Sequence, residues 1–349
     1  MSKFHKLKIA KIKRETKDAV AITFDIPTHL KQAFAFVAGQ YITLKTVING
    51  DEVRRAYSIC SSPNSDNITV AVKAISGGTF SVYANKNLKE GQEIEVAEPE
   101  GKFILESNQN NAKNYIAFAA GSGITPIMAM VKGVLENEPN SKFVLVYGNK
   151  STFETIFFDE FNDLQKNNSE RFFIQYVYSK EQPKDALFGR IDTSNINFVL
   201  NKFSDKKFDA IFICGPETMI NTVKETLIAK NYSENNIHFE LFTTSTKENE
   251  NNVSLDGNSK ITVLLDDDET TFSMSQKETI LDAALKEKLD APYSCQGGIC
   301  SSCLAKVTKG NAVMDKNTIL SEDEIAQGLI LTCQAHPTTA EIIIDYDDV

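Results

Sequence analysis

Four cysteines near the end of the chain, Cys295, Cys300, Cys303 and Cys333, restrict the chemistry more than any other residues. They read C-x4-C-x2-C, then 29 residues, then C, a spacing by which four thiolates hold a 2Fe–2S cluster. Three sulfurs from one short loop must converge on a small object, so the backbone has to wrap closely. Gly297 and Gly298 permit positive φ and close approach there. A loop wrapped in this way turns amide N–H groups towards the sulfurs, and such hydrogen bonds help set a cluster's reduction potential. A structural zinc site would more usually show paired C-x2-C knuckles, whereas only Cys300 and Cys303 form one. Disulfides need an oxidising compartment, and the opening Met1–Lys6 lacks the apolar core of a secretory signal. Scattered buried thiols would not place three cysteines within nine residues.

A second stretch is suited to phosphate. Tyr115–Ala120 is an apolar strand that runs into Gly121-Ser122-Gly123-Ile124-Thr125-Pro126 and then a helix with Met128, Val131, Val134 and Leu135 on its apolar positions. Strand, glycine turn and helix in that order present free N–H groups to a phosphate. Pro126 is expected at the first helical position. Strands expected at Phe143–Tyr147, Phe172–Tyr178 and Phe208–Cys214, with helices between, point to a parallel α/β sheet. Ligands sit at the strand ends of such sheets, which here carry Asn149, Lys150, Ser179 and Lys180.

Residues 1–109 alternate and turn as a β-barrel does, with a hairpin signal at Asn49-Gly50-Asp51. Within them lie Arg55-Ala56-Tyr57-Ser58 and, later, Val72-Lys73-Ala74 followed by Gly78, Thr79 and Ser81. An arginine can fork onto phosphate oxygens, a tyrosine face suits a flat ring, and a glycine–serine turn opening a helix cradles a diphosphate. The bland alternative for Arg55 and Tyr57 is a strand pair with an aromatic face.

The R-x-Y-S and G-x-x-S motifs, the glycine turn ending in Pro126 and the Cys214-Gly215-Pro216 turn together resemble the ferredoxin–NADP reductase family. The C-terminal cysteine pattern is similar to that of plant-type ferredoxins. The resemblance covers essentially the whole chain and extends to reductases of bacterial multicomponent oxygenases. It implies FAD held by the barrel motifs, with Ser58 near the reactive flavin nitrogen. It implies NADPH, with NADH open, because lysines stand at 150 and 180 where relatives commonly carry arginine. It further implies that Cys214 flanks the nicotinamide under cover of Met219, and that Glu240 steers protons or charge during hydride transfer. A small buried hydrophobe is the alternative for Cys214; Cys60 is expected to serve packing only.

The fold expected is multidomain: an all-β Greek-key flavin barrel (1–109), an α/β parallel-sheet NAD(P)-binding domain (110–243), a polar tether (244–259) and an α+β β-grasp ferredoxin domain (260–349). The chain carries a net charge of −10, and residues 260–349 hold 7 Lys/Arg against 16 Asp/Glu. That balance argues against nucleic acid and fits docking on a basic protein patch. No apolar run approaches a membrane span, and the four histidines (5, 29, 238, 336) form no metal pattern. The expectation is a cytoplasmic reductase passing electrons from NAD(P)H through FAD and the cluster, one at a time, to a partner oxygenase. A general NAD(P)H:acceptor reductase and a redox-sensing module are the alternatives.

Overall fold

The computed structural model describes residues 3–242 and 255–349. Alternation of apolar and polar side chains gives the N-terminal strands one buried face. These are β1 (Phe4–Thr16), β2 (Ala19–Phe24), β3 (Tyr41–Ile48), β4 (Asp51–Ser58), β5 (Ile68–Lys73) and β6 (Glu93–Ala97), with helix α1 (Thr79–Lys86) after β5. They form one sheet in the order β4-β3-β6-β1-β2-β5. An antiparallel bridge from Ile59, just past β4, to Val70 of β5 links the two edges and closes the barrel. Leu7, Ile22, Phe24, Ile42, Leu44, Val70 and Val96 fill it. Asn49 and Gly50 both take positive φ in the β3–β4 turn, as the sequence signal requires. The R-x-Y-S residues lie on β4 itself, so strand and flavin motif coincide.

The next sheet is parallel. It comprises β7 (Asn114–Ala120), β8 (Lys142–Asn149), β9 (Phe172–Tyr178), β10 (Leu187–Phe188), β11 (Ala210–Gly215) and β12 (Ile237–Leu241). Helices α2 (Ile124–Asn137), α3 (Phe158–Asn167), α4 (Thr193–Lys202) and α5 (Glu217–Ala229) connect the strands. The order β10-β9-β8-β7-β11-β12 reverses direction between β7 and β11, the switch point where such sheets leave a crevice. A 3-10 turn over Gly121–Gly123 precedes α2, whose first residue is Ile124. Pro126 is therefore the third helical residue and not the first. It still sits in the first turn, where its missing N–H costs no intrahelical bond. Barrel and parallel sheet share one compact unit, residues Phe4–Val53 and Tyr57–Thr243.

The C-terminal sheet lies in a second compact unit. Its strands are β13 (Asn258–Leu265), β14 (Asp268–Ser275), β15 (Leu304–Lys309), β16 (Ala312–Met314), β17 (Leu329–Leu331), β18 (Ala335–Pro337) and β19 (Glu341–Asp345), with helices α6 (Ile280–Lys286) and α7 (Glu322–Ala326). The order is β14-β13-β19-β15-β17, with β13 and β19 parallel and α6 packed in the same core, as in a β-grasp; β16 and β18 pair separately. Asp266 and Asp267, both at positive φ, make the two-residue β13–β14 turn. Ser321 and Glu324 form a capping box that starts α7. Of the expected tether, residues 244–254 lie outside the described residues, and β13 begins at Asn258, so its last two positions are strand. Among the described residues no helix is long and apolar enough to cross a membrane.

Candidate active site and cysteine cluster

At the switch point, the turn after β7 and the end of β11 press together. A Cβ on Gly123 would stand 2.3 Å from the carbonyl oxygen of Cys214, a distance no side chain tolerates. Gly121 adopts φ +56°, and its carbonyl accepts a hydrogen bond from the buried Tyr147 hydroxyl at 3.1 Å. Thr125 is buried, and its hydroxyl donates to the Ser122 carbonyl at 3.1 Å, so it braces the turn from behind. These contacts hold the start of α2, whose unpaired N–H groups and dipole favour an anion.

A cavity of about 530 Å³ opens in front of the turn. Gly121, Ser122 and Gly123 form its floor; Gly215, Pro216 and Met219 form one wall; Asn149, Lys150 and Ser179 form the far end. Lys73, at the end of β5, adds a positive charge beside the glycine turn. Four sequence candidates do not line this cavity: Thr125 and Pro126 lie within α2, Cys214 is fully buried behind the wall, and Lys180 is held through its backbone N–H to the Lys150 carbonyl. Arg190 and Asp192, which the motifs do not mark, line it as well. Their only sequence signal is a turn: Gly189 at φ +110°, followed by Arg190 and by Asp192, whose carboxylate caps α4 by accepting from the Asn195 N–H.

Behind the wall the three candidate catalytic residues converge. Cys214 and Glu240 are register partners on the parallel pair β11–β12. Ser58, at the end of β4, hydrogen-bonds the Glu240 carboxyl group. Glu240 retains some exposure along its side chain, yet its Oε2 is enclosed and has no partner among the described residues. Burial pushes this carboxyl up to about 8, against the Ser58 hydrogen bond that favours the charged form. Cys214 is driven well above the usual thiol range, first by burial and then by Glu240. Both groups therefore stay protonated at neutral pH.

On the barrel, α1 begins at Thr79 with Gly78 as its N-cap. A Cβ on Gly78 would stand 2.5 Å from the Ser81 hydroxyl, and that hydroxyl accepts from the Ile75 N–H at 3.2 Å. The turn is thus closed tightly at a helix start, beside Val72, Lys73 and Ala74. Tyr57 packs at 5.5 Å from the buried Phe80 ring, which fixes the tyrosine plane next to Arg55, Ala56 and Ser58 on β4.

In the second unit the four candidate ligands meet. The Cys300 thiol donates to Cys295 Sγ at 3.0 Å, and Cys333 lies within hydrogen-bond reach of both Cys295 and Cys303. All six cysteines of the chain are free. The thiol donors and then the Gly297 and Ile299 amides pull the Cys295 thiol down, while Cys300 is held up as the donor. Drawn together as thiols, these sulfurs touch, and no group of His, Cys, Asp or Glu among the described residues is spaced as it stands to hold a metal ion. Thiolates around a cluster stand further apart. The donor set of four sulfurs from a glycine-bearing loop and a neighbouring strand end fits a 2Fe–2S cluster.

The chain is 40% identical over 352 residues to a component of the 1,2-phenylacetyl-CoA epoxidase of Escherichia coli K12, covering 99% of each protein. The chain belongs to the family of that component. Three domain models match in sequence order: an oxidoreductase FAD-binding domain over residues 6–104, an oxidoreductase NAD-binding domain over 118–225 and a 2Fe-2S iron-sulfur cluster binding domain over 263–338. The family is one of NAD(P)H-dependent oxidoreductases, and this member uses FAD, a nicotinamide nucleotide and a 2Fe–2S cluster. It is also 30% identical to the ferredoxin reductase component of 3-ketosteroid-9-alpha-monooxygenase from Rhodococcus rhodochrous, covering 97% of this chain and 96% of that one. Phthalate dioxygenase reductase, described as modular for electron transfer from pyridine nucleotides to [2Fe-2S], superposes with a TM-score of 0.62 at 26% identity, covering 98% of each.

Proposed function

We propose that this chain is the reductase component of a phenylacetyl-CoA epoxidase, drawing reducing equivalents from NAD(P)H and passing them singly to an oxygenase partner. The observation that carries the reading is the convergence of Ser58, Cys214 and Glu240 directly behind the glycine-turn cavity. When bound, the flavin accepts an electron pair as hydride and releases it in single steps to the iron–sulfur cluster. The residues supply position and charge. Arg55 and the α1 turn of Gly78, Thr79 and Ser81 hold the flavin diphosphate, with Ala56, Val72, Lys73 and Ala74 along its edge. Tyr57 lies against the ring, and Ser58 hydrogen-bonds near its reactive nitrogen.

Gly121 and Gly123, braced by Thr125, hold the nicotinamide dinucleotide's diphosphate at the start of α2, next to Pro126. Gly215, Pro216 and Met219 wall the nicotinamide half, and Asn149, Lys150 and Ser179 meet the adenosine half. Protonated Glu240 keeps negative charge out of the reacting centre and offers a proton through Ser58. Cys214 packs against it without ionising. Cys295, Cys300, Cys303 and Cys333 hold the cluster. The proposed division is a barrel to residue 109, a nucleotide domain to 243 and a tethered ferredoxin domain, in a reducing cytoplasm where free thiols persist.

Anaerobic titration of the purified protein with NADPH and with NADH tests this reading. Flavin bands and a sulfur-to-iron charge-transfer shoulder are expected to bleach together, and Cys300→Ser is expected to remove the shoulder alone. A shoulder that survives Cys300→Ser refutes the ligand assignment.

A further inference from the structure

The cysteine loop is held from outside at two carbonyls. Gln334 Nε2 donates to the Gln296 carbonyl at 3.2 Å and to the Cys333 carbonyl at 2.9 Å. Thr318 Oγ1 donates to the Gly298 carbonyl at 2.8 Å. In a trans peptide the C=O and the following N–H point in opposite directions. Fixing the Gln296 carbonyl outward therefore aims the Gly297 N–H inward, and fixing the Gly298 carbonyl aims the Ile299 N–H inward. The Gly297 N–H donates to Cys295 Sγ at 3.4 Å, and the same peptide geometry at Gly298 turns the Ile299 N–H inward towards the cysteines.

The backbone around these peptides has little freedom to reach the arrangement another way. Gln296 sits at φ +52°, unusual for a residue with a side chain, and Gly298 at φ +70°. A Cβ at 298 would meet the Lys316 carbonyl oxygen at 2.8 Å. The loop conformation is thus selected by groups outside the cysteine motif, on the segment before α7 and on the residue after the fourth cysteine.

We infer that Thr318 and Gln334 are positioning residues that set the electron affinity of the cluster by aiming two peptide N–H groups towards the cysteine sulfurs. Reduction adds negative charge to the cluster, so N–H donors to its sulfurs favour the reduced form. The inference rests on the four-thiolate reading of the site, and the test separates the two.

The experiment is redox titration of the full-length protein with its cofactors, following the cluster by absorbance and by electron paramagnetic resonance, with iron and labile sulfide measured on each sample. Thr318→Val and Gln334→Leu are each expected to keep full iron and sulfide while lowering the equilibrium constant for cluster reduction roughly three- to tenfold. Tenfold corresponds to about 59 mV for one electron. Thr318→Ser, which keeps the hydroxyl, is expected to retain the parent value, and the flavin potential is expected to stay unchanged in all three. Full cluster content with an unmoved cluster potential in both apolar variants overturns the inference. Should an apolar variant shed its cluster, the rate of iron release to a chelator reads the same clamp. A slow parent-like rate in Thr318→Ser supports it, and a Ser variant as labile as the Val variant overturns it. Absence of iron and sulfide from the parent protein defeats the four-thiolate reading itself.

Discussion

Glu240 offers a test in which the fold dictates both sign and size. Its carboxyl is raised from 4.5 to about 8 by burial. An unfolded chain ionises this group above its ordinary value, whereas the folded protein keeps the proton until the pH approaches 8. Over that window the native state binds more protons, so stability falls as pH rises. The contribution is fully present below about 4.5 and is lost progressively up to the folded value. Each pH unit in the window is worth about 1.4 kcal/mol, or about 4 kcal/mol between pH 5 and 8. Glu240 is not wholly sealed from water, so roughly 2 kcal/mol is the better expectation. Glu240→Gln keeps the shape and a partner for Ser58 while removing the titration. Denaturant unfolding of parent and variant at pH 5 and pH 8, at equal cofactor loading, is expected to show the variant gaining about 2 kcal/mol on the parent between the two. A parent-minus-variant difference that does not change with pH refutes the argument that burial holds this group neutral.

Two further substitutions probe the nucleotide site. Gly123→Ala places a methyl 2.3 Å from the Cys214 carbonyl, and overpacking of this kind against backbone costs roughly 1–3 kcal/mol. NAD(P)H affinity measured by flavin reduction is expected to fall at least tenfold while iron and sulfide content stays full; unchanged affinity would mean the turn does not hold the nucleotide. Lys150 lines the cavity and pairs with Glu154 at 3.5 Å, an exposed contact that a phosphate can displace. Lys150→Ala is expected to raise KM for NADPH roughly tenfold and to leave KM for NADH within about twofold, and equal changes for both nucleotides would remove Lys150 from 2′-phosphate recognition.

What is legible in the sequence is chemistry whose parts are close together in the chain. The cysteine loop lies within nine residues, and the strand, Gly121–Gly123 turn and helix follow one another without a break, so spacing alone specifies both. The barrel motif is equally local, although its first half lies on the strand β4 and not in a turn. The start of α2 differs from the sequence expectation by two residues: a 3-10 turn over Gly121–Gly123 leads into a helix that begins at Ile124, so Pro126 is its third residue. Arg190 carries no such mark, because a lone arginine after a glycine reads as an ordinary solvated loop charge.

The pairing of Cys214 with Glu240 cannot be read from the chain, because α5 separates two strands whose register depends on how that helix packs. The clamp by Thr318 and Gln334 is harder still to see. Its acceptors are backbone carbonyls, which every residue possesses, so no residue pattern marks them. Yet in both cases the distant partner governs the property that matters for electron flow: whether a carboxyl beside the nucleotide cavity bears charge, and how strongly a sulfur is hydrogen-bonded. Spacing can state that four thiolates and a glycine turn are present. Their energies are set by enclosure and by peptide orientation, and these arise only once the sheets have closed around them.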